Sequence, residues 1–174
     1  LRSPDGAARV FEQLGTLAPQ VDGLVHAAAS FRRGSLAEVT AGEWDEIQAL
    51  NLRSFALLAE RMQAVRGSRG GDLVAIGDAA GIELWPSYLA HSVAKAGLLA
   101  LVRALAKGMA PAFRVNAVVP GPVLPPEGTT PEQAAAYARR TLLQRIGRPE
   151  DVAEAVAFLL AARFVTGAVL PVTG

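Results

Sequence analysis

Two spacings of apolar residues divide this chain. Short apolar runs at 21–26, 72–76, 114–119 and 168–172 read as buried strands. Between them apolar residues recur three and four apart, the rhythm of an amphipathic helix. One such stretch runs from 41 to about 65 on a spine of Trp44, Ile47, Phe55, Leu58 and Met62. A second runs from 89 to about 109 through Leu98, Leu99, Leu101, Val102 and Leu105, and Pro111 stops it. Further helices are expected at the start, with Ser3 as cap and Pro4 in the first turn, after Thr130-Pro131, and from Arg148-Pro149 through Leu160. Thr40 with Glu43, and Thr130 with Gln133, have the spacing of capping boxes. Strands that alternate with helices predict an α/β fold, a parallel sheet covered on both faces, in a single domain over residues 1–174.

The polar residues that interrupt this pattern are the candidates for chemistry. His91 and Lys95 stand one turn apart at the front of the most apolar helix, where a titratable pair is costly unless it has a partner or a use. Lys95 and Lys107 are the only lysines, so Lys95 is not filler in a chain that otherwise uses arginine. Lys95 snorkelling from a helix end is the alternative. Asn51 falls on the apolar spine between Ile47 and Phe55, where it needs hydrogen-bond partners and favours a bend or a bound water; a solvated place at the spine's edge is the alternative. Asp78 follows the second strand, at the end where open α/β sheets bind ligands, and taken alone reads as an ordinary Asx turn. His26 ends the first strand before the small residues Ala27, Ala28 and Ala29, which allow close approach of a ligand, and a satisfied strand-end histidine is the plainer reading. The glycines between Gly67 and Gly71 match a phosphate loop only in number, because no strand precedes them and no helix follows.

Composition narrows the classes. A chain that is 51% hydrophobic and 19% charged can build a large core, and disorder is not expected. A net charge of +1 offers no case for nucleic acid or a membrane surface. There are no cysteines, hence no disulfide and no thiolate metal site, which fits a reducing, cytoplasmic setting. Arg103 and Lys107 interrupt the best candidate for a membrane span, and no signal peptide is visible. The chain opens on Leu1 and a helix-like segment rather than a strand, which reads as a sign that an N-terminal part lies outside it.

Taken together these stretches resemble the short-chain dehydrogenases/reductases, Rossmann-type NAD(P)(H) enzymes. The likeness covers the whole of this chain and about the last two-thirds of that family's domain. Leu24-Val25-His26-Ala27-Ala28-Ala29 is similar to the family's Asn-Asn-Ala-Gly strand end, with His26 and Ala27 in place of both asparagines. Residues 73–81 resemble the strand that carries the catalytic serine, and Pro120-Gly121 the turn whose following backbone meets the nicotinamide. The tail from Arg145, with Gly147-Arg148-Pro149-Glu150-Asp151, is similar to the family's. Asp78 and the stretch 123–128, which includes Glu127, resemble pteridine reductase-like members. Two features depart: the catalytic tyrosine position is His91, four before Lys95, and the Gly-rich phosphate turn is absent.

The resemblance implies hydride transfer between a nicotinamide cofactor, NADP with NAD as an option, and a carbonyl or imine, pterin-like, substrate. It implies Asn51, Asp78, His91 and Lys95 as catalytic residues. Ala27, Ala28, Ile76, Lys95, Pro120, Gly121 and Val123 would hold the cofactor. It implies a homodimer or homotetramer through the two long helices, with Phe55, Leu58, Leu98, Val102 and Leu105 as candidates for the contact; burial against the sheet is the alternative, which an amphipathic pattern does not separate. Histidine is a workable acid near neutral pH; a nearby ammonium disfavours its charged form and Asp78 favours it, so an Asp–His–Lys site is expected. A relative that keeps the fold and has lost the chemistry is the alternative.

Overall fold

The structure, a computed structural model, describes residues 1–126 and 128–174, so Glu127 lies outside the described residues. Four strands form one parallel sheet in chain order: β1 (Gly23–His26), β2 (Gly71–Ile76), β3 (Phe113–Pro120) and β4 (Val169–Val172). All four expected strands are present, with ends shifted by one or two residues. The helices are α1 (Gly6–Leu14), α2 (Ala41–Gln48), α3 (Ser54–Arg66), α4 (Ala80–Glu83), α5 (Leu89–Gly108), α6 (Pro131–Arg140) and α7 (Pro149–Ala161).

The capping boxes at Thr40–Glu43 and Thr130–Gln133 form as their spacing predicts. The first helix does not start as expected. Asp5 occupies its N-cap without a side-chain bond, and the Ser3 hydroxyl accepts from Arg9 instead. The long helix expected from 41 to 65 is interrupted by a π-helical turn at Ala49–Arg53, which separates α2 from α3 and carries Asn51. A π turn widens the helix by one residue and frees carbonyls from the ladder.

Successive residues of a strand face opposite sides of the sheet, and the two sides differ here. Leu73, Ala75, Val115, Ala117 and Val119 face α3 and α5, and with Phe55, Met62, Leu98 and Val102 they make the main core. Val74 and Val118 face α7 through Leu159 and Val156. The β2-to-β3 and β3-to-β4 crossovers step the same way across the sheet on opposite faces, so they have opposite hands. Phe55, Leu58, Leu98 and Val102 are all buried in this chain's own core, which corrects their assignment to a subunit contact. Their spacing reports the sheet beneath them, because burial against a sheet and against a second subunit leave the same periodic pattern. By length and composition α5 could cross a bilayer, which corrects the expectation drawn from Arg103 and Lys107; half of its most apolar stretch is buried within the fold.

Candidate functional site

Parallel packing brings the carboxyl ends of β1, β2 and β3 to one edge, and the polar candidates gather there. Ala27 and Ala28 follow β1, Ile76 ends β2, and Pro120, Gly121 and Val123 end or follow β3. The Ala79 amide bonds the Pro120 carbonyl at 3.2 Å and the Gly77 amide the Val118 carbonyl at 2.7 Å, which fixes the β2 and β3 ends against each other. Helix α4 then turns back onto α5. A Cβ on Gly81 would lie 2.8 Å from the Lys95 carbonyl carbon, so only glycine permits this approach.

Asn51, His91 and Asp78 form one hydrogen-bonded chain. The π turn aims Asn51 at Ser30 in the loop after β1, where its Oδ1 accepts from the Ser30 amide and its Nδ2 donates to the Ser30 carbonyl, both at 2.8 Å. His91 Nδ1 lies 3.1 Å from both Asn51 Nδ2 and the Ser30 carbonyl. His91 Nε2 lies 3.2 Å from Asp78 Oδ2. The other Asp78 oxygen accepts from the Ala80 amide at 2.7 Å, so the Asx turn and the histidine contact both exist. Carboxylate and carbonyl oxygens only accept, and an amide NH₂ only donates. Nε2 therefore carries a proton toward Asp78. Nδ1 either accepts from Asn51 or, when protonated, donates to Ser30. Both protonation states of His91 are satisfied without moving a heavy atom.

Burial works to raise the Asp78 carboxyl, but the bond from His91, the Ala80 amide and the charges of His91 and Lys95 hold it below its ordinary value. Asp78 is the outer member of the chain, with 27% of its side chain exposed against 2% for His91. Phe31 covers His91, its ring edge-on at 4.8 Å, and stacks on Tyr88 at 4.5 Å.

Lys95 is buried below this chain. Its Nζ donates to the Ile76 carbonyl at 2.7 Å, its one hydrogen bond among the described residues, so two ammonium protons are left for other acceptors. Burial pushes the Lys95 ammonium down to about 8, with the Asp78 carboxylate opposing. Neither snorkelling nor a solvated asparagine survives: Lys95 is 3% and Asn51 0% exposed.

His26 is buried beside this group and packs on Phe55 at 5.5 Å between ring centroids. Its Nε2 lies 2.7 Å from Ser54 Oγ, and Ser54 Oγ donates to the Leu50 carbonyl at 2.6 Å. The plainer reading, a satisfied histidine, holds for only one of its nitrogens, because Nδ1 is buried without a partner.

The sequence had not singled out Ser30 or Phe31. Ser30 acts through its backbone and left no side-chain signal, whereas Phe31 was legible as an aromatic in a loop of small and basic residues. A cavity of about 250 Å³ lies against Pro122, Val123, Arg145, Asp151 and Thr173, and Asp78, His91 and Lys95 do not line it.

A family described as enoyl-(acyl carrier protein) reductase matches residues 1–174. A 2-(S)-hydroxypropyl-CoM dehydrogenase 3 of Xanthobacter autotrophicus is 37% identical over 168 residues, covering 87% of this chain and 64% of that protein. A blue fluorescent protein from a metagenomic library, solved in complex with NADPH, is 29% identical with a TM-score of 0.90, covering 99% of this chain and 72% of its own. An alternative dihydrofolate reductase 1 from Brucella canis, complexed with NADP, is 27% identical with a TM-score of 0.90, covering 99% and 69%. The chain thus spans just under two thirds of the length of the first of these relatives.

Proposed function

This chain belongs to the short-chain dehydrogenase/reductase family, and on that premise we propose that it serves an NADP-dependent oxidoreductase in which an Asp78–His91 pair stands where the family has serine and tyrosine. The observation that carries this reading is the buried chain Asn51–His91–Asp78 with Lys95 beneath it. A reduced nicotinamide, when bound, supplies the hydride. The residues present fit such a group: the Lys95 ammonium keeps donor capacity beyond its bond to Ile76 for a sugar hydroxyl, and Ala27 and Ala28 leave the strand end open to close approach. NAD is the alternative cofactor. The NADPH and NADP complexes among the similar structures favour NADP.

The residues of the chain handle one proton. In its doubly protonated form His91 donates Nε2–H to Asp78 and Nδ1–H to the Ser30 carbonyl. The Asp78 carboxylate, the exposed end, holds no proton of its own; it relays the Nε2 proton of His91 to the carbonyl oxygen or imine nitrogen of the substrate as hydride arrives at its carbon. His91 is left neutral with its remaining proton on Nδ1, donated to the Ser30 carbonyl. One carbonyl or imine takes up one hydride and one proton, which matches what the pair can release. Phe31, about half exposed and backed by Tyr88, offers a flat aromatic face, and this supports a planar, pterin-like substrate. Exposed Phe158 and Phe164 support self-association as a homodimer or homotetramer, and the cysteine-free composition supports a cytoplasmic setting.

The test is NADPH oxidation by the full-length protein with carbonyl and pterin substrates. Asp78→Asn and His91→Ala should each lower kcat by roughly 10²–10⁴-fold, the usual worth of a positioned acid. Turnover unchanged in His91→Ala would sink its catalytic role. Tight NADPH binding with no turnover in the parent protein would favour a fold-retaining relative without the chemistry.

A further inference from the structure

Lys95 is held by one carbonyl, yet it is among the most deeply buried charges in the described structure. The groups around it are few. Asp78 faces it from the loop after β2, His91 stands one turn away on α5, and His26 lies across the same layer at the end of β1. Among the described residues, the buried polar side chains on the π turn and the start of α3 are the uncharged Asn51 and Ser54.

His26 is the unusual member. The Ser54 hydroxyl has a single proton and gives it to the Leu50 carbonyl, so Ser54 Oγ can only accept from His26. His26 therefore carries its proton on Nε2, and Nδ1 is a bare acceptor. His26 is 2% exposed, and no described donor reaches this acceptor. Leaving such an atom unpaired forfeits its hydration with nothing in return, so buried polar atoms are nearly always paired. On the other side of the same layer the Lys95 ammonium has two protons without acceptors. The π turn and the Ser54 back-bond to Leu50 hold His26 in this tautomer. Burial, and then the Lys95 charge, push His26 down to about 4, so its ring is neutral wherever the protein operates near neutral pH.

We propose that His26 is a positioning residue for Lys95: its Nδ1 and the Lys95 ammonium share one buried water, which holds the ammonium toward the sheet edge and keeps it charged. A buried water is stable when it finds two to four polar partners, and these two groups supply an acceptor and a donor. The ammonium then has a hydrogen-bonded anchor on each side, the Ile76 carbonyl and the water, and its third proton is left for a ligand. This inference rests on the reading of Lys95 as the nucleotide-facing lysine, but its test reads the lysine alone, without cofactor or substrate.

The test is ¹³C NMR of the full-length protein labelled at the lysine Cε. Only Lys95 and Lys107 contribute, and Lys107, exposed near the end of α5, is the internal reference. The Lys95 midpoint is expected near 8 in the parent protein. His26→Leu removes the acceptor and should move it down by about one pH unit. His26→Asn keeps an acceptor oxygen and should leave it within a few tenths of a unit. A midpoint unmoved in a folded His26→Leu, or moved equally in His26→Asn, would reduce His26 to a packing residue and overturn the proposal. Should His26→Leu fail to fold, ¹⁵N NMR of the parent protein decides: a hydrogen-bonded Nδ1 supports the shared water, and a bare Nδ1 overturns it. A Lys95 shift with no NADPH turnover would leave the positioning intact and remove only the oxidoreductase reading.

Discussion

Lys95 and Arg114 are both largely withdrawn from solvent, one near each end of the sheet, and they are held in opposite ways. Arg114 stands second in β3 and places both terminal nitrogens of its guanidinium. It bonds the carbonyls of Leu159, Leu160, Ala162 and Val165, which close the end of α7, and the Asp72 carboxylate paired with it across β2. Lys95 sits at the carboxyl edge with one carbonyl and, among the described residues, no ion pair within contact distance. A guanidinium with both terminal nitrogens placed caps a helix end, where the carbonyls carry negative charge, and locks α7 to the sheet. An ammonium with donors left over is costly to the fold and available to a ligand. The difference separates a charge kept for structure from one kept for chemistry.

The largest effect is expected from breaking the filled site. Arg114→Met leaves the Asp72 carboxylate and the last carbonyls of α7 without their buried partner. The loss should be about 3–5 kcal/mol, the cost of removing one partner from a buried pair. Urea denaturation measures it. A loss below about 1 kcal/mol would mean that water replaces the guanidinium freely, and the contrast with Lys95 would fall.

Lys95→Met should do the reverse and stabilise the protein near neutral pH. Burial lowers the lysine from its ordinary 10.5 to about 8, a difference worth up to about 3 kcal/mol against the folded state. The unfolded chain binds this proton between pH 8 and 10.5 and the folded chain does not. The stability of the parent protein should therefore rise with pH across that window, while the Lys95→Met curve stays flat there. Denaturation at several pH values reads both. Equal stability of the two proteins at pH 7 would place Lys95 among ordinary satisfied charges.

Much of the fold was legible because it rests on local rules. The strand runs, both capping boxes and the α5 boundaries follow from spacing and from Thr, Pro and Glu at set positions. Asn51 in mid-helix pointed to a bend, and a π turn is there. The start of α1 was misread, since Ser3 and Pro4 suit a helix start but Asp5 takes the cap. The misplaced subunit contact has a physical cause too, because an apolar stripe reports burial and is silent on what it is buried against. At the site, Asp78, His91 and Lys95 were legible as types and spacing. The Ser30 backbone and the bare nitrogen of His26 were not, because both depend on where the loop after β1 meets the π turn. Arg114 carried a signal, a lone charge near the start of a strand that is otherwise apolar but for Asn116.

The smallest effect tests what holds Asp72. That carboxylate also meets Arg163 at 3.6 Å, but the Arg163 side chain is 82% exposed. Water competes for an exposed guanidinium, salt screens it, and ordering its long side chain costs entropy, so such pairs are worth little. Arg163→Ala should change stability by no more than about 0.5 kcal/mol, and less at high salt. The comparison with Arg114→Met then isolates one variable, since both residues contact the same carboxylate and differ in burial and in the carbonyls they fill. Were Arg163→Ala to cost as much as Arg114→Met, pairing with Asp72 would be the dominant contribution. The filled carbonyls at the end of α7 would then explain little of what separates Arg114 from Lys95.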